Sequence, residues 1–197
     1  MASHSPRRQD LLRQLGVAFD VILLRSAPGR AADVTEEARD GEPAQHYVER
    51  IARTKATVGW ERLAKRSLAM RPVLGADTEV VLDNEVLGKP IDAAHAAQML
   101  ARLAGRTHDV LTGVALRYDN GIAFALSASR VKFVALSRAQ IDAYVKTGES
   151  LDKAGGYAIQ GRAAAFIERI EGSYSGVMGL PLYETASLLA RAGIPVL

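Results

Sequence analysis

Two long β-rich segments, about residues 107–118 and 122–135, are separated only by Asp119-Asn120-Gly121. Asn-Gly readily adopts the positive backbone angles of a tight turn, so the pair reads as a long hairpin. Helical patterns precede and follow it. A chain that alternates such patterns with strands is α/β.

The remaining elements follow from spacing. Ser5-Pro6 starts a first helix, because Ser caps well and Pro suits the first helical position. Leu11, Leu12 and Leu15 form its apolar stripe, and Gly16 ends it. Val17 to Leu24 reads as a strand, and 25–42 as a polar loop with Pro28, Gly29 and Gly41. A helix from Pro43 places Tyr47, Val48, Ile51, Ala52 and Val58 at helical spacing. Val73 to Leu82 reads as a buried strand interrupted at Gly75-Ala76-Asp77-Thr78-Glu79. A turn at Asp83-Asn84 leads to a short strand, Glu85-Val86-Leu87. Asp92 caps a helix to Leu103, and Ser137 caps another to about Thr147. Residues 149–161 form a glycine-punctuated loop, Ala164 to Ile170 a strand, and Leu182 to Ala192 the closing helix.

A chain of 197 residues, 48% hydrophobic, suits one domain over 1–197, with room for two lobes around a cleft. With no cysteine, disulfides, thiolate chemistry and zinc–cysteine sites are excluded. No apolar run reaches the length of a membrane span, and Met1-Ala2-Ser3-His4-Ser5-Pro6-Arg7-Arg8 lacks the hydrophobic segment of a signal peptide. A cytoplasmic protein is the expectation. The net charge of +3 reflects either an ordinary surface or a cluster serving an anionic ligand.

Asp77 is a carboxylate inside an apolar strand. A buried carboxylate must be paired, bound to a metal or shifted in pKa. It either caps backbone groups at a bulge, or activates water or holds a divalent cation. Arg7 and Arg8 stand in the first turn of a helix, against the dipole preference for acids there. They are either solvated surface groups or, with Ser5 and the helix N-terminus, part of a phosphate site. Lys89 sits between Gly88 and Pro90 in a tight turn. Lys55, Glu36, Glu37, Asp152, Lys153 and Gln160 complete the candidates. Gln160 lies between Ile159 and Gly161, where an amide needs partners. Neither G-x-x-x-x-G-K-[ST] nor G-x-G-x-x-G occurs, and histidines 4, 46, 95 and 108 have no zinc-motif spacing. The basic residues are dispersed and aromatics are few, which argues against a nucleic-acid stripe.

Seven segments, in order, resemble the Maf family. They are Ser3 to Arg8, Gly75 to Thr78, Leu87 to Pro90, Gly105 to Val110, Leu111 to Val114, Asp152 to Gly161 and Glu171 to Pro181, and they span nearly the whole chain. The resemblance implies a mixed, strongly twisted sheet with flanking helices and two lobes around a deep cleft. It implies hydrolysis of nucleoside triphosphates to a monophosphate and pyrophosphate, assisted by Mg²⁺ or Mn²⁺. It places the active-site acid on Asp77 and base selection on Arg7, Thr78 and Gln160. Thr78 after the Asp resembles the dTTP/UTP branch rather than the 7-methyl-GTP branch. Ser5, Arg7, Arg8, Lys55, Lys89 and Lys153 fall on phosphate-side positions, and the metal falls to Asp77 with Glu36. A homodimer is implied by resemblance only.

Two departures stand out. The strand before the first Ser is shortened to Met1-Ala2, and Arg25 to Glu37 is longer than in the family. The family's Asp-Ile-Asp-Glu appears as Asp33-Val34-Thr35-Glu36, which leaves the metal-side acid open between Glu36 and Glu37. Two rival readings are a pyrophosphatase for other or modified nucleotides and a non-catalytic nucleotide-binding regulator of septum formation.

Overall fold

The computed structural model describes residues 1–25, 32–119 and 121–196. Five strands form one sheet in the order β2-β1-β3-β4-β5, with β1 at Val73–Leu82, β2 at Glu85–Val86, β3 at Thr107–Tyr118, β4 at Gly121–Phe133 and β5 at Ile167–Glu171. The long hairpin is the centre of the sheet. Tyr118 pairs with Gly121 and Thr107 with Lys132, while Asn120 of the expected turn lies outside the described residues. β1 is unbroken from Val73 to Leu82, so the expected interruption at Gly75 to Glu79 does not occur.

The helices are α1 at Pro6–Gln14, α2 at Ala44–Lys65, α3 at Ala93–Leu103, α4 at Arg138–Val145, α5 at Tyr174–Met178 and α6 at Leu182–Arg191. The expected caps form. The Ser5 hydroxyl accepts from Arg8 N–H, Asp92 accepts from His95 N–H, and Ser137 and Gln140 make a reciprocal capping box. α5 was not anticipated, because it has too few residues for a periodic signal. The strand expected from Ala164 begins instead at Ile167, after a 3₁₀ turn over Arg162–Phe166.

Helices cover both faces of the sheet, and strand alternation decides which residues meet them. Val81 and Leu111 face α2 through Tyr47, Val48 and Ile51. On the opposite face, Leu74 and Ala76 pack with Leu11 and Leu12 of α1 and Leu188 and Leu189 of α6. Further along that face, Val80 and Leu82 pack with Leu100 and Leu103 of α3 and with Phe133. Each buried leucine contributes about 1.5–3 kcal/mol of transfer free energy. Thr78 falls on the same face, between these two apolar clusters.

All strand pairs within the sheet are antiparallel. The mixed character expected of the sheet is confined to the N-terminal residues. The Met1 ammonium donates to the Asp20 carbonyl at 2.6 Å, and Ile22 N–H donates to the Met1 carbonyl at 2.9 Å. That alternation has the spacing of a parallel pair. Residues 17–24, expected as a strand, therefore run extended beside Met1 without forming a regular ladder. Ala2 N–H donates to the Leu74 carbonyl at 2.8 Å, so even the short N-terminal segment is tied to the edge of β1.

Candidate functional site

The site begins with the way α1 starts. Ser5 caps the helix and Pro6 sets its first turn, which turns Arg8 inward. Its guanidinium spends three donors on the protein. Nε donates to the Gly179 carbonyl at 2.7 Å, Nη1 to the Ala76 carbonyl at 2.9 Å, and Nη2 to Thr78 Oγ1 at 3.0 Å. Burial pulls the Arg8 pKa down, while Asp77 and Glu36 oppose that shift. Arg8 thus bridges α1, β1 and the end of α5. Arg7 points elsewhere in the pocket, half-buried and facing Asp152.

On the other face of the sheet, one glycine of β1 and one of β3 set the distance to α2. A Cβ on Gly75 would lie 2.5 Å from the Ala52 carbonyl oxygen, and one on Gly113 2.9 Å from that of Val48. Only a bare backbone lets the helix approach this closely. The approach delivers Lys55 Nζ to 2.7 Å from Asp77 Oδ1 and 2.6 Å from Glu36 Oε1. Asp77 is 6% exposed, and its Oδ2 has no partner among the described residues. Burial would raise the Glu36 carboxyl, but Lys55, Lys89 and Arg8 hold it below its ordinary value. Lys89 Nζ lies 3.9 Å from Glu36 Oε2. Glu36, not Glu37, therefore enters the cluster, whereas Glu37 offers only its carbonyl to Arg50.

Glu79 was missed from the sequence. It lies two residues beyond Asp77 on the same side of β1, so strand alternation alone could have brought it forward. Burial, then Asp77, pushes its carboxyl up to about 8, and its Oε2 has no partner among the described residues.

The glycine-punctuated loop supplies the remaining wall. Gly155 N–H donates to the Gly88 carbonyl at 2.8 Å, which docks this loop on the turn carrying Lys89. Asp152 takes a positive φ of 63°, followed by Lys153. Burial lowers the Lys153 pKa, and Arg7 lowers it further. Tyr157 stands behind the loop, with its hydroxyl 2.8 Å from His108 Nε2. Burial takes His108 down to about 4, so its ring is neutral near pH 7.

These groups share one pocket of about 790 Å³, its open mouth included. Ser5, Arg7, Arg8, Glu36, Lys55, Asp77, Thr78, Lys89, Asp152, Lys153 and Gln160 all line it, so of the candidates from the sequence only Glu37 is not among its lining residues. Five basic side chains (Arg7, Arg8, Lys55, Lys89, Lys153) outnumber four acidic ones (Glu36, Asp77, Glu79, Asp152). That balance suits a polyanion that meets a few carboxylates. Sequence reasoning also missed the Thr112 hydroxyl, which lies 3.0 Å from Thr78 Oγ1 and 2.8 Å from the Gly176 carbonyl. It falls in the family segment Leu111 to Val114, but only the strand register gives it a role by putting it opposite Thr78.

Comparison with known proteins gives a consistent result. A protein named dTTP/UTP pyrophosphatase from Aromatoleum aromaticum is 53% identical over 197 residues, covering 100% of this chain and 96% of the relative. One of the same name from Nitrosomonas europaea is 50% identical, covering 100% and 95%. Another from Burkholderia pseudomallei is 53% identical, covering 98% and 93%. The family model described as Maf-like protein matches residues 1–192. With that match along the chain and the family's polar segments converging on one pocket, the protein belongs to the Maf family.

Proposed function

We propose that the protein is a nucleoside triphosphate pyrophosphatase that hydrolyses dTTP and UTP to the monophosphate and pyrophosphate. One observation carries the reading. Asp77, whose Oδ2 is enclosed and has no partner among the described residues, lines a pocket ringed by five cationic side chains. The names of relatives about half identical along their lengths supply the substrates.

The chemistry follows from the side chains. Asp77 Oδ1 is committed to Lys55, so Oδ2 is the oxygen that takes a proton from the attacking water. The water oxygen bonds to the α-phosphorus, the bond from that phosphorus to the bridging oxygen breaks, and pyrophosphate leaves. Arg7, Lys89 and Lys153 neutralise the phosphates, with Lys55 and Arg8 adding positive charge from the floor. Ser5 and the start of α1 offer donors to an anion.

Mg²⁺ or Mn²⁺ is part of the proposal, and the residues fit it. Asp77 Oδ2 and Glu79 Oε2 are enclosed oxygens without partners among the described residues. Hard oxygens are what such an ion takes. Glu36 lines the same pocket, with Oε1 held by Lys55. Among the described residues no three acidic, histidine or cysteine side chains form a closed group. Bound there, the metal supplies charge neutralisation at the phosphate oxygens.

The test is a substrate panel of dTTP, UTP, CTP, GTP, ITP and 7-methyl-GTP with Mg²⁺, with pyrophosphate and orthophosphate measured separately. Pyrophosphate from dTTP and UTP above the others supports the reading. Preference for another base overturns the substrate assignment, and no pyrophosphate from any nucleotide overturns the activity.

A further inference from the structure

We infer that the pyrimidine is selected by the main-chain N–H and C=O of Thr78, while the Thr78 hydroxyl serves as a positioning group for Arg8. The inference rests on the dTTP/UTP reading above and deepens it.

The hydroxyl is already engaged. It accepts from Arg8 Nη2 at 3.0 Å and lies 3.0 Å from Thr112 Oγ1. Thr112 has one hydroxyl proton, and the Gly176 carbonyl, 2.8 Å away, can only accept it. That proton is shared between the Gly176 carbonyl and Thr78 Oγ1, so the Thr78 oxygen faces a donor on two sides. With its oxygen engaged by both Arg8 and Thr112, this hydroxyl is built to hold the guanidinium in place.

The main chain of Thr78 is differently placed. The carbonyls of Leu74, Ala76 and Val80 accept from Ala2 N–H, Arg8 Nη1 and Leu87 N–H, all on the edge of β1 away from β3. In an antiparallel pair, alternate residues turn both N–H and C=O to the same side. Thr78, lying between Ala76 and Val80, directs both groups to that edge. No hydrogen bond among the described residues uses either of them. The N-terminal segment covers the edge at Leu74 and the β2 side covers it at Val80, so Thr78 stands at the gap and lines the pocket.

An adjacent donor and acceptor match one edge of uracil and thymine. O4 accepts from the Thr78 N–H, and N3–H donates to the Thr78 carbonyl. Cytosine reverses both groups, setting an amino donor against the N–H and a lone pair against the carbonyl. Buried polar groups left unpaired make such a mismatch costly. A purine with O6 and N1–H offers the same pattern as uracil, so this pair separates uracil from cytosine and leaves purines to the size of the pocket.

The test compares steady-state pyrophosphate release from UTP, CTP and N3-methyl-UTP by wild type, Thr78→Val, Thr78→Ser and Gln160→Leu. For wild type, kcat/KM with N3-methyl-UTP falls about 100-fold or more below UTP, as CTP does. Thr78→Val lowers kcat for UTP and CTP alike, by about 10-fold, and leaves their kcat/KM ratio unchanged within error. Thr78→Ser restores kcat. Loss of the UTP-to-CTP ratio in Thr78→Val, or in Gln160→Leu, overturns the inference and makes that side chain the reader. N3-methyl-UTP turned over like UTP also overturns it. If Thr78→Val does not fold, the N3-methyl-UTP comparison on wild type decides. Wild type that turns over no nucleotide at all overturns the activity reading itself, and this inference with it.

Discussion

Lys55 Nζ donates to Asp77 Oδ1 at 2.7 Å across the contact between α2 and β1, and this bond decides which carboxylate oxygen is left for chemistry. Asp77→Asn keeps the size of the side chain and removes the proton acceptor. Turnover of dTTP falls about 10²–10⁴-fold or more. The circular dichroism spectrum and the KM stay close to wild type. An Asn variant with most of its activity would remove Asp77 from the role assigned to it.

Lys55→Met leaves Asp77 and Glu36 facing each other without their shared cation. Removing one partner of a buried ion pair costs on the order of 3–5 kcal/mol. Lys55 is 12% exposed at its side chain, so solvent relieves little of that cost. Denaturant unfolding measures the loss, and kcat falls with it.

Gly75→Ala tests the approach of α2 to the sheet. The added Cβ would sit 2.5 Å from the Ala52 carbonyl, a backbone atom that yields only if the helix moves. The strain is about 1–3 kcal/mol. Because the helix carries Lys55, kcat drops as well, although the substitution adds one methyl group and no charge. A variant with wild-type melting and activity would show that the close approach is dispensable.

His108 gives the fold a pH dependence of known sign. Its pKa is about 4 in the folded protein, against about 6.5 for an unfolded histidine. Between those values the unfolded chain binds the extra proton, so stability falls as pH drops from about 6.5 to about 4 and the effect levels off below. The full span is at most about 3 kcal/mol. In His108→Gln this part of the slope disappears, which urea unfolding at pH 7, 5.5 and 4.5 resolves. An unchanged slope would place the ring's ionisation elsewhere.

Much of this is legible in the amino-acid sequence. Ser5, Asp92 and Ser137 announced their helices because capping is local chemistry, and the 107–135 hairpin announced itself by length and turn. Asp77 stood out as a carboxylate among apolar residues. What stayed hidden depends on distant partners. Glu79 draws no notice until the face of β1 is known, nor does Thr112 until the register sets it opposite Thr78. Residues 17–24 have a strand's composition, but among the described residues their backbone pairs only with that of Met1. The choice between Glu36 and Glu37 turned on where α2 holds Lys55, and sequence spacing does not encode that distance.

Hydrolysis of dTTP in H₂¹⁸O, with both products analysed by mass spectrometry, tests the central claim most directly. Water attack at the α-phosphorus puts one ¹⁸O into dTMP and none into pyrophosphate. Label in pyrophosphate, or orthophosphate as the first product, would contradict the account by moving the attack to the β- or γ-phosphorus.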